Sequence, residues 1–189
     1  MKPSMESLFD PNGDIPREIL KEYKREALKK TLEGEPCRVL GEWRPYIPDT
    51  TGLSQEDRLQ LMKRVSKQCN DWLRDKGLYA PHGCVVMLGH KEYPDSFQGT
   101  KSWHRDGLDS ERKPDIQVTV AEEEAEEYLK LVWSDTNPTD LRVHADKTLI
   151  PTKPYEVVAV NNRLVDHKTP PNCDPRRNFL TANTVILIK

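Results

Sequence analysis

Apolar residues recur every three to four positions in two segments of the first half of the chain. Residues 16–34 form the first segment, with Pro16 suited to a first helical turn and Gly34 suited to a helix end. A stronger stripe runs through residues 54–77, where Ser54 and Asp57 resemble a capping box and Gly77 marks the end. We therefore predict two amphipathic helices that pack against the rest of the chain.

After Gly77 the pattern changes to short runs rich in β-branched and aromatic residues. Turn signals such as Asn137-Pro138 and Pro170-Pro171 separate these runs. The eight candidate strands are residues 84–88, 103–106, 116–120, 128–133, 141–144, 155–160, 164–168 and 179–188. Short strands with few helices between them predict an antiparallel sandwich or barrel, of which the double-sheet jelly roll is one form.

Length and composition fit one very soluble domain. We expect residues 1–189 to form a single domain, with residues 1–80 as helical support and residues 81–189 as the β core. The net charge of −2 disfavours nucleic acid and anionic membranes as partners. The four cysteines form no C-x-x-C pair, and no run approaches the ~20 apolar residues of a membrane span. These features predict a cytoplasmic protein with reduced thiols.

One pair of polar residues has the spacing of metal ligands. In an extended segment, His104 and Asp106 point to the same face because side chains alternate. Such a pair also arises by chance in a chain with five histidines, and His144 and Asp146 have the same spacing. Spacing alone therefore leaves open whether either pair forms a site.

A third candidate ligand, His167, lies in the seventh predicted strand, and Arg177 follows ten residues later. Two histidines and one carboxylate leave three positions open on a metal, which suits Fe(II) that must bind a cosubstrate and O₂ together. Neutral imidazoles and one ionised carboxylate would leave such a centre with a single positive charge. That charge favours an anionic cosubstrate.

The ordered set resembles the Fe(II)- and 2-oxoglutarate-dependent oxygenases, whose pattern is H-x-D, a distal His and a later Arg. The matching residues are His104, Asp106, His167 and Arg177, and the strands after residue 84 resemble that family's double-stranded β-helix. The resemblance covers a little over half of the chain. It implies a mainly β jelly roll with N-terminal helices, in which the first three residues hold Fe(II).

The resemblance also implies an anchor for 2-oxoglutarate. Arg177 is expected to bind the distal carboxylate of this cosubstrate, with Thr181 on the same face, because the end of the chain resembles the family's R-x-x-L-T start of the last strand. Arg176 is the rival anchor, and alternation means that only one of the two arginines points inward. Some members carry a small hydroxyl residue two positions after the Arg, where this chain has Phe179.

The implied activity is oxidation of an unactivated C–H bond by O₂, with 2-oxoglutarate converted to succinate and CO₂. Asp106 favours hydroxylation over halogenation, since the family's halogenases lack the carboxylate. We expect a small-molecule substrate or an amino acid, free or peptidyl; the oligomeric state stays open. Two alternatives remain: a cupin-like iron oxygenase that needs no oxoacid, and a non-catalytic β-sandwich binding module.

His144 is expected to be structural. In the resembled fold the second and seventh strands are neighbours, whereas the fifth strand, which carries His144, is not next to the seventh. That arrangement would keep His144 away from His167.

Overall fold

Two helices lie where the apolar periodicity predicts them. The computed structural model describes residues 16–80, 85–89, 101–106, 108–110, 128–174, 176–182 and 186–187. Helix α1 spans Arg17–Leu32 and ends in the left-handed backbone of Glu33, at φ 50°. Helix α2 spans Gln55–Asp75, and the hydroxyl of Ser54 accepts a hydrogen bond from the backbone N–H of Asp57 at 3.1 Å. Both predicted helices are confirmed. Neither is long and apolar enough to cross a membrane, a finding that covers the described residues.

The described strands are short and number more than the sequence predicts. They are β1 (Cys37–Glu42), β2 (Leu78–Tyr79), β3 (Val85–Met87), β4 (His104–Arg105), β5 (Asp109–Ser110), β6 (Leu129–Ser134), β7 (Asp140–Val143), β8 (Leu149–Ile150), β9 (Glu156–Asn161), β10 (Val165–Lys168), β11 (Phe179–Ala182) and β12 (Ile186–Leu187). The candidate strand at residues 116–120 lies outside the described residues.

These strands form two five-stranded antiparallel sheets and one small pair. Sheet I has the order β1-β9-β6-β11-β3, sheet II has the order β5-β4-β10-β7-β8, and β12 pairs with β2. The protein is thus mostly β, with two antiparallel sheets and two helices, an arrangement compatible with a β-sandwich.

Sheet I lies between the helices and sheet II, and strand β6 shows this best because it is buried along its whole length. Leu131 and Trp133 belong to the cluster that contains the buried residues of α1 and α2. Val132, on the opposite face, packs with Leu141 and Val165 of sheet II. Alternation along one strand therefore builds both cores.

Three features of the strand pattern differ from the prediction. Strand β1 was not predicted; it pairs with β9 as the edge of sheet I, so residues 1–80 supply a strand as well as the helical support. Edge strands are exposed on several side chains, and β1 accordingly lacks a clean apolar alternation. The single strand predicted at residues 179–188 is two strands, β11 in sheet I and β12 beside β2. The two-residue strands β2, β5 and β8 were also missed.

Candidate metal centre

The pairing of β4 with β10 brings two histidines together. His104 and His167 lie directly opposite each other in sheet II, and their ring centroids are 4.1 Å apart. Directly opposed residues on antiparallel strands project side chains to the same face. Both imidazoles therefore reach the same space.

Asp106, just after β4, completes the group. Its Oδ1 lies 3.5 Å from Nε2 of His104 and 3.2 Å from Nε2 of His167. All three ligand atoms lie within 4.8 Å of one another. Ligands bound to one metal at ~2.1 Å and at right angles stand about 3 Å apart, so these atoms need only small shifts to share an ion. The three predicted ligands are the group that the structure brings together.

A hydrogen bond at Nδ1, the ring nitrogen that does not face Asp106, orients the imidazole of His104. Its Nδ1 lies 2.8 Å from the backbone carbonyl of Ser102. Because a carbonyl only accepts, Nδ1 carries a proton, and Nε2 is the nitrogen that faces Asp106. Metal-binding histidines are typically held by such a contact at the other ring nitrogen.

The pKa shifts of Asp106 and His167 favour the protonation states that a metal requires. Burial lowers the pKa of His167, which favours the neutral imidazole that metals bind. The hydrogen bond to Asp106 raises the pKa of His104. Burial acts to raise the pKa of Asp106, but hydrogen bonds from both histidines and the charge of Lys130 hold it well below its ordinary value. The carboxylate is therefore ionised, and a bound metal would replace the hydrogen bonds that join it to the two histidines.

Lys130 is a member of the site that the sequence analysis missed. Its Nζ lies 2.6 Å from Oδ2 of Asp106, and its side chain is only 3% exposed. Lysine is rarely buried without a partner of opposite charge. The signal in the sequence was one charged residue within the otherwise apolar run of residues 129–133.

The backbone of Asp106 is also held in place. The side chain of Asn162 accepts a hydrogen bond from its N–H at 3.1 Å and donates one to its carbonyl at 2.9 Å. The hydroxyl of Tyr128 donates to the same carbonyl at 3.2 Å. Asn162 lies in the turn between β9 and β10, so the turn that leads into the strand of His167 also positions Asp106.

The two candidate anchor arginines differ in burial. Arg177 is 2% exposed, and its guanidinium donates to the carbonyl of Asn137 at 2.8 Å and to the hydroxyl of Thr139 at 3.1 Å. Arg176 is exposed. Burial lowers the pKa of Arg177 without making it neutral at physiological pH. Thr181 pairs through its backbone with Val132; its side chain lies outside the described part.

The contact between Arg177 and Thr139 locates the guanidinium relative to the histidines. Leu141 pairs with His167 across β7 and β10. Thr139 precedes Leu141 by two residues, which corresponds to about 7 Å of extended chain. The guanidinium is therefore bound one two-residue repeat away from the level of His167.

Gly89, after β3, touches the segment that carries Arg177. Its N–H donates to Oδ1 of Asn178 at 2.9 Å. A Cβ at this position would lie 2.3 Å from the carbonyl carbon of Arg176 and 2.7 Å from the carbonyl oxygen of Arg177. These distances are far below van der Waals contact, so only glycine allows this approach.

His144 is outside the ligand group, but not for the predicted reason. The strand counted as fifth in the sequence is β7, and β7 does pair with β10. The predicted separation of this strand from the strand of His167 is therefore wrong. Alternation separates the residues instead: His144 bonds through Nδ1 to Asp166 at 2.7 Å, and Asp166 points away from the neighbouring His167.

Comparisons with known proteins leave the chain without an assigned family. No family model, no curated protein and no solved structure matches it. Fold and site together define a mainly β protein with a candidate His/Asp/His metal centre.

Proposed function

We propose that this protein is an Fe(II)- and 2-oxoglutarate-dependent dioxygenase that oxidises an unactivated C–H bond. One observation carries the proposal: His104, Asp106 and His167 offer three ligand atoms within 4.8 Å from neighbouring strands. Two histidines and one carboxylate with open positions are the ligand set of non-haem Fe(II) oxygenases.

The strand order supports a jelly roll. Leaving out the edge strands β1 and β5, sheet I reads β9-β6-β11-β3 and sheet II reads β4-β10-β7-β8. The chain passes back and forth between the sheets, as expected of a double Greek key. The candidate ligands lie on sheet II, on the face of His167 and Leu141 that is turned toward sheet I.

Iron bound to the three residues would supply oxygen activation and C–H oxidation, which no side chain of the chain can perform. The residues themselves ligate and orient. Ser102 and Asn162 hold His104 and Asp106 in place without a metal, so these ligands would lose little conformational entropy when a metal binds.

Arg177 is the proposed anchor for the distal carboxylate of 2-oxoglutarate. Its burial, its charge and its place about 7 Å along the strand from the level of His167 suit a short dicarboxylate that also reaches the metal. Arg176 is exposed, which weighs against it as the anchor.

The charge of the centre supports an anionic cosubstrate. With a divalent metal, ionised Asp106 and neutral imidazoles, Lys130 raises the net charge from one positive to two. An oxoacid with two carboxylates suits such a site better than a neutral ligand does. We propose a small-molecule or amino-acid-like substrate, with O₂ as the second cosubstrate.

The first experiment tests the metal and the oxoacid together. Fe(II) and 2-oxoglutarate are added anaerobically, and the visible charge-transfer band of the chelate is recorded for wild type and His104→Ala. We expect a band in wild type that the variant lacks. Absence of the band in wild type would remove the central proposal.

The second experiment uses the adjacent arginines as a matched pair. Arg177→Met should weaken 2-oxoglutarate binding by about 10- to 100-fold, the usual effect of losing charge-assisted hydrogen bonds, whereas Arg176→Met should change it less than about twofold. If wild type binds iron but not 2-oxoglutarate, the oxoacid-independent alternative is favoured. If both variants bind 2-oxoglutarate like wild type, neither arginine is the anchor.

A further inference from the structure

Lys130 is the one buried ammonium that contacts the candidate ligand group, among the described residues. On β6 it lies two residues before Val132, so both side chains point into the space between the sheets. Its partner across the strands is Val160, also part of that core. The side chain of Lys130 therefore lies beside apolar side chains of that core, and its ammonium contacts the carboxylate of Asp106.

The two oxygens of Asp106 have different partners. Oδ2 accepts from Lys130 at 2.6 Å, whereas Oδ1 faces Nε2 of His104 and Nε2 of His167. One carboxylate thus separates the ammonium from the space where the three ligand atoms converge. In that partly buried space a fixed charge is screened less than it would be at the surface.

We propose that Lys130 sets the charge of this centre, weakening the binding of a divalent cation and strengthening the binding of an anionic ligand at the metal's open positions. The proposal rests on the metal centre of the proposed function. It adds a residue that selects ligands by charge and does so without touching the metal.

Two opposite effects follow from this charge. Without metal, Lys130 and Asp106 form a neutral pair, and a divalent cation entering that pair is repelled by the ammonium. Once the metal is bound, the same ammonium attracts any anion that joins it. A neutral ligand of the metal gains nothing from Lys130.

The experiment uses Co(II), whose visible spectrum reports ligands at its open positions and which binds such sites more tightly than Fe(II) does. Wild type, Lys130→Met and Lys130→Arg are titrated with Co(II), and the loaded proteins are then titrated with azide as the anion and imidazole as the neutral ligand. The control is Lys168→Met, which removes the same charge beside His167 but on the opposite face, where Nζ lies 4.9 Å from the Trp103 ring centre.

We expect Lys130→Met to bind Co(II) at least about tenfold more tightly and azide at least about tenfold more weakly, with imidazole binding unchanged. Lys130→Arg and Lys168→Met should match wild type within about threefold in all three titrations. If Lys130→Met does not fold, Lys130→Gln replaces it, because it also removes the charge.

Unchanged Co(II) and azide affinities in Lys130→Met would overturn the inference while leaving the metal centre intact. A loss of imidazole and azide binding by the same factor would also overturn it, because that result indicates a distorted site without charge selection. If wild type binds no Co(II), the proposed metal centre itself fails. Azide tests Lys130 even if 2-oxoglutarate turns out not to bind.

Discussion

Strand β10 carries two aspartate–histidine clusters back to back. On the face toward sheet I, His167 joins His104, Asp106 and Lys130. On the opposite face, the neighbouring Asp166 collects four other partners: Arg142 at 2.6 Å, His144 at 2.7 Å, Lys147 at 3.8 Å and Arg105 at 3.9 Å.

The clusters differ in the balance of cations and lone pairs. Around Asp166, three permanently charged side chains and one imidazole neutralise a carboxylate that is 3% exposed. Around Asp106, one ammonium faces two imidazoles and a carboxylate that is 26% exposed. A buried carboxylate saturated by cations is structural, whereas one that shares its space with two imidazoles can take up a metal.

The largest effect on metal binding should come from removing a histidine, and only from the cluster around Asp106. His167→Ala should weaken Co(II) binding by more than about 100-fold, because it removes a ligand, while the matched His144→Ala should bind Co(II) like wild type. Titration followed by visible absorption distinguishes them. Equal losses in both variants would contradict the division between the two faces.

The second effect concerns the contribution of the cluster around Asp166 to the stability of the fold. Asp166→Asn should lower the free energy of unfolding by about 2 kcal/mol, because it leaves the buried Arg105 and the partly buried Arg142 without their anion. The control is Asp146→Asn in the exposed turn of the second H-x-D pair, where the amide oxygen can still accept from the backbone N–H of Thr148. Its urea midpoint should match that of wild type. Urea denaturation in the presence of a chelator measures both.

Acidification should remove the difference between wild type and Asp166→Asn. Burial acts to raise the pKa of Asp166, but hydrogen bonds from Arg142 and His144 hold it below its ordinary value. A carboxylate with a lowered folded-state pKa stabilises the fold above its unfolded pKa, about 3.9, and loses this contribution as the pH falls through the folded pKa. Urea midpoints of the two proteins should therefore converge below about pH 4. A constant gap from pH 6 to pH 3 would count against this ion pairing.

The smallest effect should come from Trp103, which is next to His104 in the chain but contacts the cluster around Asp166. The guanidinium of Arg142 lies 4.4 Å from the centre of its ring. Trp103→Leu should cost about 1 kcal/mol of stability through the lost cation–π contact, with Co(II) affinity unchanged. A loss of Co(II) binding would mean that the two faces of β4 are not independent.

The sequence predicted the three candidate ligands because side-chain alternation and strand pairing are local regularities. His104 and His167 met as expected once their strands paired. The sequence did not reveal Lys130, since a lysine in a strand is usually exposed and only the pairing of sheets shows which face is buried. Strand β8 was missed because two residues are too few for a period to be read.

The sequence also could not decide which of Arg176 and Arg177 is buried, because that depends on strand pairing. Alternation predicted that one of two adjacent arginines points inward, and the structure buries Arg177 and exposes Arg176. Which of the two is buried depends on the register of β11 against β6, where Phe179 pairs with Ser134. Such a register is set by contacts between distant strands and is not fixed by the local sequence.

Gly89 shows how a residue outside the candidate ligand group restricts the sequences that this fold accepts. The backbone of Arg176 and Arg177 occupies the place where a Cβ would lie. In a library randomised at position 89 and selected for folded protein, we expect glycine to be recovered almost alone, because any other side chain would displace the backbone that carries Arg177. The close approach of two backbone segments therefore restricts the sequence at position 89 to glycine, even though no side chain there makes a contact.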